Sequence, residues 1–187
     1  GTRHSEKRPR NRWAKNYTGQ GQGQFLQLAA LGGGVSLLAA TSILPEARAA
    51  GATDALLLSC MDFRLMDDIE RYMSGRGLRD KYDHVVLAGA SLGAITDKYP
   101  AWNKTFWEHL DIAIKLHNIH TVIVMDHRDC GAYKVILGAE HAKDPKVEKD
   151  THAAQLKKLK GMINEKYPNL KVETLLMALD GKVETVG

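Results

Sequence analysis

Three short apolar runs constrain this chain more than any other feature: DALLLSC (54–60), DHVVLAGAS (83–91) and HTVIVMDH (120–127). Each is continuous rather than alternating, which is the pattern of a strand covered on both faces, as in parallel sheets flanked by helices. The intervening segments agree. Trp102, Phe106, Leu110, Ala113 and Leu116 recur at spacings of three and four between Pro100 and Asn118 and predict a helix with that stripe in the core. Residues 65–75 predict a shorter helix, with Ile69, Tyr72 and Met73 on one side. A longer one is expected from about Asp150 to Lys166. The closing LKVETLLMALDGKVETV reads as two strands about an Asp180-Gly181 turn. The expected fold class is α/β, a mostly parallel β-sheet flanked by helices, with a C-terminal hairpin.

Ahead of these elements lies a segment of different character. Residues 1–24 hold six basic residues against the single acid Glu6, so the formal charge of +4 belongs to this segment and the remainder is close to neutral. No nucleic-acid partner is expected for the folded part. Residues 25–45, FLQLAALGGGVSLLAATSILP, are apolar apart from Gln27, a few hydroxyls and a glycine triplet, and lead to a small-residue Ala47-x-Ala49 site. Basic region, apolar region and small-residue site predict an export signal over 1–49, recognised by export machinery and cleaved near Ala49. Residues 50–187 are then one domain, located in the periplasm or otherwise exported. A membrane anchor formed by residues 25–45 is the alternative, since about 20 residues span a bilayer, although Gly32, Gly33 and Gly34 weaken such a helix. GQFLQLAA resembles the stretch after the arginine pair of twin-arginine signals, but Gln22 and Gly23 stand where the pair would fall.

In parallel α/β sheets ligands bind beyond the carboxyl ends of the strands. Cys60, Asp62 and Arg64 follow the first run at every second position, which places Asp62 and Arg64 on one face of that strand, and His127 and Cys130 follow the third. Two cysteines in an exported domain read either as one disulfide or, with His127, as a soft S/N ligand set for zinc whose fourth position stays open for catalysis. The disulfide leaves Asp62 and Arg64 without a use. Beside a metal, Asp62 accepts a hydrogen bond from a water, and Arg64 clamps the carboxylate and keeps it ionised. The other histidines, at 84, 109, 117, 120, 141 and 152, read as surface or helix residues, and Arg128 and Asp129 as loop or entrance charges.

SCMDFR, followed 67 positions after its cysteine by HRDCG, resembles the β-class carbonic anhydrases. The resemblance implies one Zn2+ per chain on Cys60, His127 and Cys130, an Asp62–Arg64 catalytic dyad, and attack of a zinc-bound hydroxide on carbon dioxide to give bicarbonate. It also implies a homodimer or higher homo-oligomer, and a substrate pocket near Ala88, Gly89 and Gly131. Where the family commonly shows Arg-Asn-Ala-Gly, this chain has Val86-Leu87-Ala88-Gly89. Two alternatives stay open: a zinc hydrolase of carbonyl sulfide or carbon disulfide, and a non-catalytic exported zinc-binding protein. For the leader, N-terminal sequencing of protein recovered from the exported fraction is expected to begin near Ala50. Full-length protein found in the cytosol alone would contradict it.

Overall fold

A computed structural model describes residues 51–187, so the expected export signal over 1–49 lies outside the described residues. The first strand, β1 (Ala55–Ser59), is buried throughout and leads into α1 (Met66–Gly75). There follow β2 (Tyr82–Val86), a single helical turn α2 (Ala90–Gly93), and α3 (Pro100–His117). Then come β3 (Thr121–His127), α4 (Gly131–Leu137), a 3-10 turn (Ala139–Ala142), and α5 (Pro145–Lys166). The chain closes with β4 (Lys171–Met177) and β5 (Val183–Thr185).

The strands form one sheet in the order β2-β1-β3-β4-β5. The first three pairings are parallel, and only the β4–β5 hairpin is antiparallel. Alternate residues of the apolar runs serve opposite faces, as the period of two requires. Leu56, Leu58, Val122 and Val124 pack with Phe106, Leu110, Leu156, Leu159 and Ile163 beneath α3 and α5. Leu57, Ile123, Met125, Leu175 and Met177 pack with Leu65, Ile69 and Met73 beneath α1. The fold class expected from the sequence is the one observed.

Several details differ from the sequence reading. In α3 the buried stripe is Phe106, Leu110 and Ala113; Trp102 is half-buried and Leu116 is 62% exposed. Asn118 ends that helix in a left-handed conformation (φ 51°), and Leu116, in the last turn, points to solvent. α5 begins at Pro145, ahead of the expected Asp150, because Asp144 caps it by accepting from the N–H groups of Lys146 and Val147 and Pro145 fits the first helical position. The second apolar run leaves the sheet at Val86, and its remainder turns back over the strand ends as α2.

That return is tight. A Cβ built on Gly93 would lie 2.2 Å from the Ala88 carbonyl oxygen, a backbone atom that cannot step aside. Gly93→Ala is therefore expected to lower unfolding free energy by about 1–3 kcal/mol, measured by urea denaturation.

Candidate metal centre

The register of β1 against β3 pairs Ser59 with Met125, so the two strands reach the carboxyl edge of the sheet side by side. Cys60 is the next residue after β1, His127 is the last residue of β3, and Cys130 caps α4 three residues later. All three are buried, and their ligating atoms lie within 4.8 Å of one another, the one such group of three among the described residues. The Sγ atoms are 3.9 Å apart. That is far beyond the ~2.05 Å of a disulfide. It is close to the ~3.8 Å that separates two thiolates on a tetrahedral ion with ~2.3 Å bonds.

His127 Nδ1 lies 2.8 Å from the Arg128 carbonyl oxygen. A carbonyl only accepts, so Nδ1 carries the proton and the Nε2 lone pair faces the thiols, the arrangement of a metal-ligating imidazole. Nε2 has no partner and is buried. His141 and His152 also bury an unpartnered Nε2, but only that of His127 sits between two thiols. The Cys60 Sγ further accepts from the Gly89 N–H (3.3 Å). The donor set therefore fits a soft divalent cation.

The electrostatics point the same way. A hydrogen bond from Cys130 pulls the Cys60 thiol down to about 4 against the opposing effect of burial, with His127 and the Gly89 N–H assisting. The Cys130 thiol moves upward, through its bond to the Cys60 sulfur and through burial. Burial disfavours the charged form of His127, but the Cys60 sulfur, the Arg128 carbonyl and Asp62 together outweigh it and raise the pKa. Two sulfurs sharing one proton beside an imidazole is the arrangement a cation replaces.

Asp62 and Arg64 are not on a strand. They lie in the turn between β1 and α1, where Asp62 Oδ1 accepts from the backbone N–H (3.0 Å) and Nε (2.9 Å) of Arg64, and Oδ2 from Nη2 (2.7 Å). The Arg64 guanidinium holds the Asp62 carboxyl down at about 2. Asp62 Oδ2 stands 3.8 Å from His127 Nε2, at the rim of the ligand cluster. Arg64 is itself gripped by Asp129, whose Oδ2 accepts from Nη1 (3.0 Å) and which also pairs with Lys134.

An apolar hollow of about 390 Å³ opens over this group, bordered by Cys60 and Asp62 and walled by Ala88, Gly131, Val135 and Trp102. Of the three expected pocket residues, Ala88 and Gly131 line it, while Gly89 serves Cys60 through its N–H. A larger hollow of about 730 Å³, under Asp54, His120 and Leu170, lies at the opposite end of the strands and holds no group of ligating side chains.

The ligand loop has supports the sequence reading missed. Glu148, on α5, accepts from the Asp129 N–H (2.6 Å) and from Arg128 (3.3 Å), and Arg128 also reaches Glu184 (3.0 Å). Arg128 thus reaches α5 and β5, whereas the Asp129 side chain reaches Arg64 and Lys134. His141 and His152, read from sequence as plain surface or helix residues, are both buried, and His152 donates from Nδ1 to Asp126. Asp126 was the available signal: a carboxylate at the end of a run covered on both faces requires buried partners.

A family model described as "Putative carbonic anhydrase" matches residues 50–187, and the chain belongs to that family. An uncharacterised protein of Rickettsia conorii is 48% identical over 131 residues, covering 70% of each chain. One of Rickettsia bellii is 44% identical over 131 residues, covering 70% of this chain and 80% of its own. Among solved structures, a carbonic anhydrase from Streptococcus mutans superimposes with a TM-score of 0.50 at 17% identity, over 74% of this chain and 84% of that one, a likeness of fold.

The Asp62 geometry has a direct test in protein prepared without metal. The Asp62 carboxyl resonance is expected to titrate with a midpoint of about 2. In Arg64→Ala, followed by NMR, it should rise toward the ordinary carboxylate range, while the backbone N–H at position 64 remains. Because the folded-state value lies below the unfolded one, this pair stabilises the fold above the ordinary carboxylate range, and the contribution is lost as pH falls toward 2.

Proposed function

We propose that this protein is a zinc-dependent carbonic anhydrase that reversibly hydrates carbon dioxide to bicarbonate, with one Zn2+ held by Cys60, His127 and Cys130. The observation that carries the reading is the convergence of those three ligand atoms within 4.8 Å, beside a carboxylate already clamped by an arginine. Zinc held by Cys60, His127 and Cys130 would supply Lewis acidity, which would bring the deprotonation of water toward neutral pH.

The chain's own residues do the rest. Asp62, held ionised by Arg64, accepts a hydrogen bond and cannot donate one, so it selects a water with its proton turned to Oδ2 and its lone pair toward the hollow. Arg64 occupies both Asp62 oxygens and is backed by Asp129, which keeps the carboxylate at the rim and out of the ligand position. The wall of Ala88, Val135 and Trp102 is mostly apolar, which suits a linear, uncharged gas and disfavours bulk water.

Two further readings belong to this proposal. Met61, Phe63 and Val135 are 65%, 87% and 62% exposed around the hollow, an apolar rim suited to a second copy of the chain. The leader over 1–49 directs export, after which zinc protects both thiolates from oxidation.

Stopped-flow hydration assays with zinc determined on the same sample test the function. Rapid hydration at one zinc per chain is expected, and Asp62→Ala should keep the zinc while losing at least about a hundredfold in kcat. Zinc without hydration would overturn the carbon dioxide reading and direct attention to carbonyl sulfide or carbon disulfide.

A further inference from the structure

We propose that Asp126 is the positioning residue of this centre: its single buried carboxylate locks the three elements that aim the cluster formed by Cys60, His127 and Cys130. The inference rests on the metal-centre reading above. Asp126 precedes His127 on β3 and shares the parity of Val122 and Val124, so its side chain enters the layer beneath α2, α4 and α5, where it is 1% exposed. A carboxylate in such a layer costs several kcal/mol unless its lone pairs are filled. Here they are filled. Oδ1 accepts from the Ser91 N–H (3.0 Å), and Oδ2 from the Ser91 hydroxyl (2.7 Å), the Tyr133 hydroxyl (2.6 Å) and His152 Nδ1 (2.9 Å).

Each donor belongs to a different element, and each element governs part of the cluster. Ser91 lies on α2, just after Gly89 (φ 77°) and Ala90 (φ 38°). A left-handed alanine is strained by roughly 1 kcal/mol or more and persists only where its neighbours are fixed. The two hydrogen bonds from Ser91 to Asp126 provide that anchor, and the strained turn they hold is the one that points the Gly89 N–H at Cys60 Sγ. Tyr133 sits in the first turn of α4, the helix that Cys130 caps. His152 stands one turn after Glu148 on α5, so the same helix grips Asp126 and, through Glu148, the loop between His127 and Cys130. One carboxylate therefore couples the sulfur acceptor bond, the α4 cap and the histidine strand.

A core residue contributing stability alone would not tune metal affinity. The test uses Ser91→Ala and Tyr133→Phe, which delete one hydroxyl each with almost no change in volume, and Asp126→Asn, with Phe106→Leu as a core change outside the network. On the full chain, zinc affinity is measured by competition with a chromogenic chelator. The visible spectrum of the cobalt-substituted protein reports ligand geometry, and thermal melts report stability. Ser91→Ala and Tyr133→Phe are each expected to weaken zinc binding by about tenfold and shift the cobalt bands, with Asp126→Asn weaker still. Phe106→Leu should lower the melting temperature and leave affinity and spectrum unchanged. Wild-type affinity and spectrum in both hydroxyl variants would overturn the proposal while leaving the metal centre standing, as would an equal loss of affinity in Phe106→Leu. A wild-type chain that takes up no zinc would overturn both.

Discussion

Everything at the carboxyl edge of the sheet depends on the register of β1 against β3. Ala55 pairs with Thr121 and Ser59 with Met125, and this pairing alone delivers Cys60 and His127 to the same point in space from positions 67 apart in sequence. A slip of one residue would exchange Leu56 and Leu58 with Leu57 between two cores that are both closed, and would turn Cys60 away from its partners. Because both faces are covered, the slip is opposed by burial of every side chain in the strand. The apolar runs that specify the fold are for this reason also what specifies the site.

Much of this was legible in the sequence. The first and third apolar runs gave strands covered on both faces, whereas the second became the edge strand β2, of which only Val85 is buried, and polar residues clustered at the ends of the first and third gave the location of Cys60, Asp62, His127 and Cys130. What escaped notice was whatever depends on backbone geometry or on partners distant in sequence. Period-two spacing placed Asp62 and Arg64 on a strand. The chain leaves the sheet at Ser59, and an aspartate-initiated turn brings them together through the Arg64 backbone N–H. The Asp144-Pro145 cap escaped because the apolar pattern of α5 begins later than its hydrogen bonds. His152 looked like one histidine among many, since nothing local marks a helix residue whose partner lies 26 positions away.

The substitution of Leu87 for the asparagine common in β-class carbonic anhydrases has a physical reading in this structure. Leu87 packs against the main core, and the Cys60 sulfur is served by a backbone donor, the Gly89 N–H. A backbone donor is placed by the turn rather than by a rotamer, so the conformation of residues 89–91 decides where that donor points. That shifts the burden onto whatever pins the turn, and in this chain the pin is polar and buried.

The rim charges follow from the same need for fixed geometry with little net field. Asp62, Arg64, Asp129 and Lys134 alternate in sign along one connected path, and each acid is held below its ordinary pKa by the base beside it. Two thiolates would cancel the formal charge of a divalent ion bound in the cluster, so an unpaired acid or base at the rim would dominate the local potential. Paired, these groups orient Asp62 without strongly attracting or repelling charge at the mouth of the hollow. In the proposed reaction a neutral substrate would gain nothing from a strong field, and an anionic product would be retained by an uncompensated arginine. The connected pairs let Arg64 act on Asp62 at 2.7–2.9 Å while its charge is largely spent within the path.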